Sequence, residues 1–203
     1  MVRELANDAA LRGKVIPLAF HVDYWDRLGW RDPFSAADWS RRQSFYVRAL
    51  SLRGAYTPQM VVNGARQFVG SNAHALDAAL AEESRQSPFG SVRVSLARGD
   101  GALKASVSAK VTSAAPTDVV LVLVENGIST KVTGGENGGT TIDNDAIVRR
   151  LMRVATGSVE TTVSIPLEKT WNASRLGVVV FLQDRKTLTI RGAAVAPASS
   201  PAV

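Results

Sequence analysis

The chain of 203 residues contains no cysteine. A disulfide, a thiolate nucleophile, a cysteine zinc site and an iron–sulfur cluster are therefore excluded for it as written. Histidine is almost as scarce, being limited to His21 and His74. His21 has Asp23 and Asp26 beside it, and imidazole with carboxylates can ligate a metal, but no second histidine is near; such groups at a strand end serve loop capping and hydrogen bonding. Long apolar runs are missing too. The longest aliphatic run, Val119 to Val124, is far too short to span a bilayer, so no transmembrane segment is expected. The polar N-terminal stretch, Met1 to Lys14, lacks the apolar core of a signal peptide, and read literally the polypeptide would stay in the cytoplasm.

Concentrated positive charge is also absent. The formal charge is +6 and the pI about 10.1, yet residues 1 to 87 hold 11 basic and 9 acidic side chains and residues 88 to 203 hold 13 and 9. The excess is spread along the chain, with Arg41-Arg42, Arg149-Arg150 and Arg185-Lys186 the adjacent basic pairs and no longer run. A phosphate backbone is bound by clustered cations, so no nucleic-acid partner is assigned. Nor is there a hydrolase motif: no serine or lysine has a recognisable general-base partner. Gly134-Gly-Glu-Asn-Gly-Gly139 lacks the Lys-Ser/Thr of a phosphate loop, which leaves a loop between strands. No cofactor is implied.

What remains is an ordinary globular composition, 45% hydrophobic and 21% charged, long enough for a real core. The spacing in Val2 to Arg12 predicts a helix ended by Gly13, and Val15 to Val22 reads as a buried strand. Asp23 to Pro33 is an aromatic-rich loop, in which Tyr24, Trp25 and Trp30 surround Asp23, Asp26 and Asp32. Asp32 or Ser35 is suited to cap the next helix, which runs to about Leu52 with Trp39, Gln43, Tyr46, Val47 and Leu50 on its inner stripe. Gln59 to Asn63 and Arg66 to Val69 read as a hairpin closed by Asn63-Gly64. Ser71 would then cap a helix over Ala73 to Ser84, with Leu76, Ala79 and Leu80 inward.

Beyond the linker at Gln86 to Gly90 the period changes to two. Val92, Val94 and Leu96, then Leu103 to Val111, then Val159 to Ile165 alternate apolar and polar, as half-buried antiparallel strands do. Val119 to Val124 and Val178 to Leu182 are continuously apolar, as expected of strands covered on both faces, and Leu188 with Ile190 adds a last strand. The expected organisation is an α/β region over residues 1–86, an all-β, sandwich-like region over 87–194, and a disordered tail over 195–203.

Several phrases carry a resemblance: Leu18-Ala-Phe-His-Val-Asp-Tyr-Trp-Asp26, Leu28-Gly-Trp-Arg-Asp-Pro-Phe34, Arg42-Gln43, Tyr56-Thr-Pro-Gln-Met-Val-Val-Asn-Gly64 and Gly70-Ser71. Together they resemble an uncharacterised, secreted bacterial family, a domain of unknown function with a thioredoxin-like fold. Gly135-Glu-Asn137 and Ile147-Val-Arg149 are similar to its later segments more weakly. The resemblance implies a thioredoxin-like α/β unit, incomplete at its N-terminus, a secreted or periplasmic location, and a cis Thr57–Pro58 bond. Members of the family normally carry an upstream Cys-x-x-Cys that this chain lacks. The absent strand would be central, between Val15 to Val22 and Gln59 to Asn63, leaving backbone groups unpaired. Two expectations follow: the natural chain starts further upstream, or a partner strand or C-terminal segment fills the gap, the first being preferred.

The functional expectation is correspondingly twofold. The chain is the remainder of a secreted thiol–disulfide or redox-partner protein, inactive in redox chemistry as written. Alternatively it is a non-catalytic module that binds an extended peptide or protein in a groove beside Thr57-Pro58. The candidate groove residues are Tyr24, Trp25, Trp30, Tyr56, Thr57, Pro58 and Gln59. No catalytic or metal-ligating residue is assigned.

Overall fold

The computed structural model describes residues 2–197, apart from residues 10, 12, 100, 136 and 137. A short helix α1 (Val2–Asn7) leads into an extended segment, and α2 (Ala37–Ala49) follows the aromatic loop. The hairpin β1 (Gln59–Val62) and β2 (Arg66–Val69) precedes α3 (Ala73–Glu83). Among the described residues nine strands follow: β3 (Gly90–Gly99), β4 (Ala102–Val111), β5 (Thr117–Glu125), β6 (Ile128–Lys131), β7 (Thr141–Asn144), β8 (Ile147–Thr156), β9 (Val159–Pro166), β10 (Leu176–Asp184) and β11 (Ile190–Ala196). Among the described residues no helix is long and apolar enough to cross a membrane.

Two antiparallel sheets dominate, in the orders β11-β10-β5-β8 and β3-β4-β9. Their facing sides share one core. Leu103, Ala105, Val107 and Ala109 of β4 and Ile165 of β9 meet Val119, Leu121 and Leu123 of β5 and Leu176, Val178, Val180 and Leu182 of β10. The alternate residues of the same two strands, Val120, Val122, Val124, Val179 and Phe181, form a second core on the opposite face of the four-stranded sheet. A strand apolar at every position needs cover on both sides. The second cover comes from the first half of the chain: Trp39 of α2 is buried there, and Ile16, Leu18 and Phe20 pack against it.

This arrangement corrects the thioredoxin-like expectation. The described residues are mostly antiparallel β, 42% strand against 19% helix, with no α/β thioredoxin-like unit among them. Val15 to Val22 does not form a strand of a central sheet. Its ladder is a single parallel bridge, Ala19 to Ile147, made by Ala19 N–H to Ala146 O at 2.8 Å and Val148 N–H to Ala19 O at 2.9 Å. The physical reason lies in where its apolar side chains go. Ile16, Leu18 and Phe20 are used to cover the outer face of the four-stranded sheet, so the segment lies at the margin of that sheet rather than inside another.

Local details differ as well. The residue capping α2 is Ala36, with no side-chain cap. Asp32 and Ser35 are turned to other uses: Asp32 accepts the Phe34 N–H at 2.9 Å and Ser35 Oγ donates to Asp26 at 2.7 Å. Asn72, not Ser71, caps α3, its side chain accepting the Ala75 N–H at 3.0 Å. α1 stops at Asn7, and Arg12 lies outside the described residues. β11 runs through Val195 to Ala196, into the stretch expected as tail; residues 198–203 lie outside the described ones.

The hairpin shows why Asn63-Gly64 was so legible. Both residues have positive φ, 49° and 67°, as a two-residue turn matching the twist of its strands requires. Gly64 has a second duty: a Cβ there would come within 2.1 Å of Leu188 O. Ile190 N–H also donates to Asn63 O at 2.7 Å, so the turn is docked on the start of β11. Gly64→Ala is expected to lower stability by at least about 1–3 kcal/mol, from the left-handed backbone and the close approach together, read as a fall in the urea midpoint; an unchanged midpoint would show that the turn is not held against Leu188.

Candidate functional site

The aromatic loop is held by three carboxylates and two serines. Asp23 uses both its side chain and its backbone on Ser40, accepting from Oγ at 2.5 Å and donating its N–H to Oγ at 3.2 Å. Asp26 accepts from Ser35 Oγ and from the Asp32 N–H at 3.3 Å. These bonds tie the loop to the start of α2 and fix the two rings between them. Tyr24 and Trp25 stand with centroids 5.4 Å apart at 59°.

Trp25 then bonds directly to the segment leading into the hairpin, and Tyr24 reaches it through α2. Trp25 Nε1 donates to Thr57 Oγ1 at 2.8 Å, while the rest of the side chain remains 48% exposed. Tyr24 Oη donates to Gln43 Oε1 at 3.0 Å. Gln43 Nε2 in turn donates to Tyr56 O at 2.8 Å and to Gln59 Oε1 at 2.9 Å. Gln59 Nε2 donates to Gln67 Oε1 at 3.2 Å, an oxygen that also accepts from Tyr56 Oη. Every polar atom of the Gln43 amide is thus used to hold loop, helix and hairpin together. The Thr57–Pro58 bond is cis. Six of the sequence-derived groove residues, Tyr24, Trp25, Tyr56, Thr57, Pro58 and Gln59, are therefore neighbours. Trp30 is placed elsewhere, half-buried against the backbone of Gly134 and Gly135.

Gln43 was read from sequence only as part of an inner stripe, and its role as a hub depends on partners 13 and 16 residues away. Its neighbour Arg42 is unusual in a different way. The guanidinium lies 5.3, 5.2 and 5.9 Å from the ring centres of Phe20, Tyr46 and Phe181, and Nη2 donates to Tyr46 Oη at 3.0 Å. Its Nε is buried without a partner, and among the described residues no carboxylate pairs with it.

A second polar junction joins the loop to the sheets. His21 Nδ1 and Asp32 Oδ2 are 2.6 Å apart, and Phe34 sits edge-on to the His21 ring at 5.4 Å. The Arg149 guanidinium lies over the Phe34 ring, 4.6 Å from its centre. Arg149 Nε donates to Glu125 Oε2 at 2.7 Å, and the Asn172 N–H donates to Glu125 Oε1 at 2.8 Å. The Glu125 side chain is 2% exposed. Burial pushes the Asp32 carboxyl up, but the His21 hydrogen bond and charge, the Phe34 N–H and the Arg149 charge outweigh it and hold the group below its ordinary value. Among the described residues no three His, Asp or Glu side chains converge to hold a metal ion.

A family profile described as "Protein of unknown function (DUF1223)" matches residues 1–183. No curated protein matches the chain in sequence. Among solved structures, a structural-genomics crystal structure of an Agrobacterium tumefaciens protein is 23% identical, with a TM-score of 0.73 over 100% of this chain and 87% of that one. HBP35 of Porphyromonas gingivalis is 13% identical, with a TM-score of 0.59 over 82% of this chain and 62% of that one. At these identities the likeness is one of fold.

Two outcomes follow from the second junction. Because Asp32 titrates below its ordinary value when folded, its contribution is present above the unfolded carboxyl pKa of about 3.9 and is lost as pH falls through that value toward the folded one. Urea midpoints measured from pH 6 to pH 3 should therefore fall less steeply for Asp32→Asn than for the native chain; parallel curves would remove the His21–Asp32 pair as the cause. Arg149→Ala, which strands a buried Glu125, is expected to cost about 3–5 kcal/mol in chemical denaturation, and a loss below about 1 kcal/mol, as for an exposed pair, would contradict it.

Proposed function

We propose a binding role from a firm premise: the chain belongs to the DUF1223 family of proteins of unknown function. The role is that of a non-catalytic module that takes an extended peptide segment alongside β1, next to Trp25 and Thr57-Pro58. The observation that carries it is the hydrogen-bond accounting of the hairpin. Among the described residues β1 pairs only with β2. Gly70 N–H bonds to Pro58 O at 2.8 Å, so Met60 and Val62 face β2 in the same alternation, and Gln59 and Val61 turn their N–H and C=O groups the other way. No described group bonds to them, although both residues are half-buried.

Half-buried backbone groups without partners favour a strand that supplies them. Strand addition of this kind draws affinity from main-chain bonds and specificity from flanking side chains. Trp25 supplies the flank. Its indole N–H is satisfied by Thr57, which orients the exposed apolar remainder at low entropic cost. A secreted or periplasmic setting, as the sequence resemblance implies, belongs to the same reading, and fractionation of cells expressing the full native gene tests it.

The binding test uses reduced, carboxymethylated α-lactalbumin, a permanently unfolded acidic chain, labelled for fluorescence anisotropy. Val61→Pro removes one outward N–H at a strand edge, where proline is tolerated, and Trp25→Ala removes the exposed ring; neither changes net charge. Each is expected to weaken binding about tenfold or more, while the exposed Trp25 position leaves stability within about 1 kcal/mol. Equal binding by the native chain and both variants would reduce the affinity to general attraction between a basic protein and an acidic coil, and the proposal would fail.

A further inference from the structure

A cleft of about 580 Å³ opens where the aromatic loop meets the β6 strand and the β9–β10 connection, at the Arg149 junction. Phe34 and Ile128 give it apolar walls, and Arg149, Glu125, Lys131 and Arg175 supply its charges. Three cations against one carboxylate leave the lining with an excess of two positive charges.

The orientation of Arg149 gives that excess a use. Its Nε is committed to Glu125 Oε2, and the other Glu125 oxygen is committed to the Asn172 N–H. The ring of Phe34 lies against the guanidinium face. Clamped at one nitrogen and stacked on one face, the side chain keeps its two terminal amino groups, to which no described residue offers an acceptor, while its exposure is only 13%. A planar, pre-oriented fork of N–H donors is matched by a carboxylate, which accepts two parallel bonds. The Lys131 ammonium has no ion-pair or hydrogen-bond partner among the described residues, and Arg175 is held by Gly127 O through Nη1, which leaves its other donors at the cleft.

The geometry points to a binding site for a small organic carboxylate with a flat apolar body: the carboxylate sits on Arg149 with Lys131 and Arg175 at the rim, and the body lies along Phe34 and Ile128. This site is separate from the β1 edge. It draws on two sequence phrases left without a function, Leu28 to Phe34 and Ile147 to Arg149, which the fold brings face to face.

Isothermal titration calorimetry at low ionic strength, where rim charges are least screened, tests it with benzoate, the neutral isostere benzamide, and inorganic phosphate. Benzoate is expected to bind saturably at one site, with benzamide weaker by about tenfold or more, the cost of losing charge-assisted hydrogen bonds. Arg149→Lys keeps the charge facing Glu125 but loses the fork, and it should weaken benzoate by a similar factor. Lys131→Ala, at an exposed position that the fold does not need, should weaken it several-fold and keeps the test decisive if Arg149→Lys fails to fold. No saturation by benzoate, equal binding of benzamide, native affinity in Lys131→Ala, or phosphate binding more tightly than benzoate would each overturn the assignment.

Discussion

The structure depends on burying one sheet from both sides. β5 and β10 carry apolar side chains at every position from 119 to 124 and from 178 to 182, and these residues are almost wholly buried. One face is closed by β3, β4 and β9, but the other would expose Val120, Val122, Val124, Val179 and Phe181 to water. At roughly 25 cal/mol per Å² of apolar surface, leaving such a face uncovered would remove several kcal/mol, a large share of a typical net stability. Ile16, Leu18, Phe20 and Trp39 supply the cover.

That requirement explains the unusual state of the first half. Its extended segment is drawn to the margin of the four-stranded sheet by one pair of backbone bonds around Ala19, and α2 is laid over the same face by Trp39. The hairpin has its own small core with α3, made of Val62, Leu76 and Ala79 with Met60, Phe68 and Leu80. It is tied to the rest through Asn63 O, Gly64 and the buried Glu83, which lies 3.8 Å from Arg191. The unpaired edge of β1 is what this leaves behind.

Polar side chains do the joining between these apolar layers. Gln43 binds loop and hairpin, Asp32 and His21 brace the loop, and the Arg149–Glu125 pair anchors Phe34 over the sheets. A buried ion pair contributes little net stability because desolvation offsets the attraction, but removing one member is costly. Such pairs fix geometry, and here they fix the walls of a cleft. The same bonds that keep Trp25 beside Thr57 and Phe34 on Arg149 shape the two surfaces to which ligands are assigned.

Local patterns were legible. The period-two alternation of β3, β4 and β9, the doubly apolar runs of β5 and β10, the inner stripe of α2 and the Asn63-Gly64 turn all follow from short-range preferences that a sequence displays directly. The cis Thr57–Pro58 bond came through the resemblance and agrees with the geometry. Capping residues were missed by one or a few positions, because Asp32, Ser35 and Ser71 can each make several competing local bonds, and tertiary partners chose among them.

The sequence by itself determined the absence of cysteine chemistry, the type of most elements and the faces they would bury, since these depend on residue identity and spacing within a few turns. Only the tertiary structure decided that Val15 to Val22 would cover a sheet instead of joining one, that Trp30 would lie on the glycine loop rather than beside Thr57, and that Arg149 would meet Phe34 and Glu125. An apolar segment carries no label for the surface it will bury, and a charged side chain none for its partner. Those choices are made by which uncovered faces and unpaired groups remain once the strongest layers have packed.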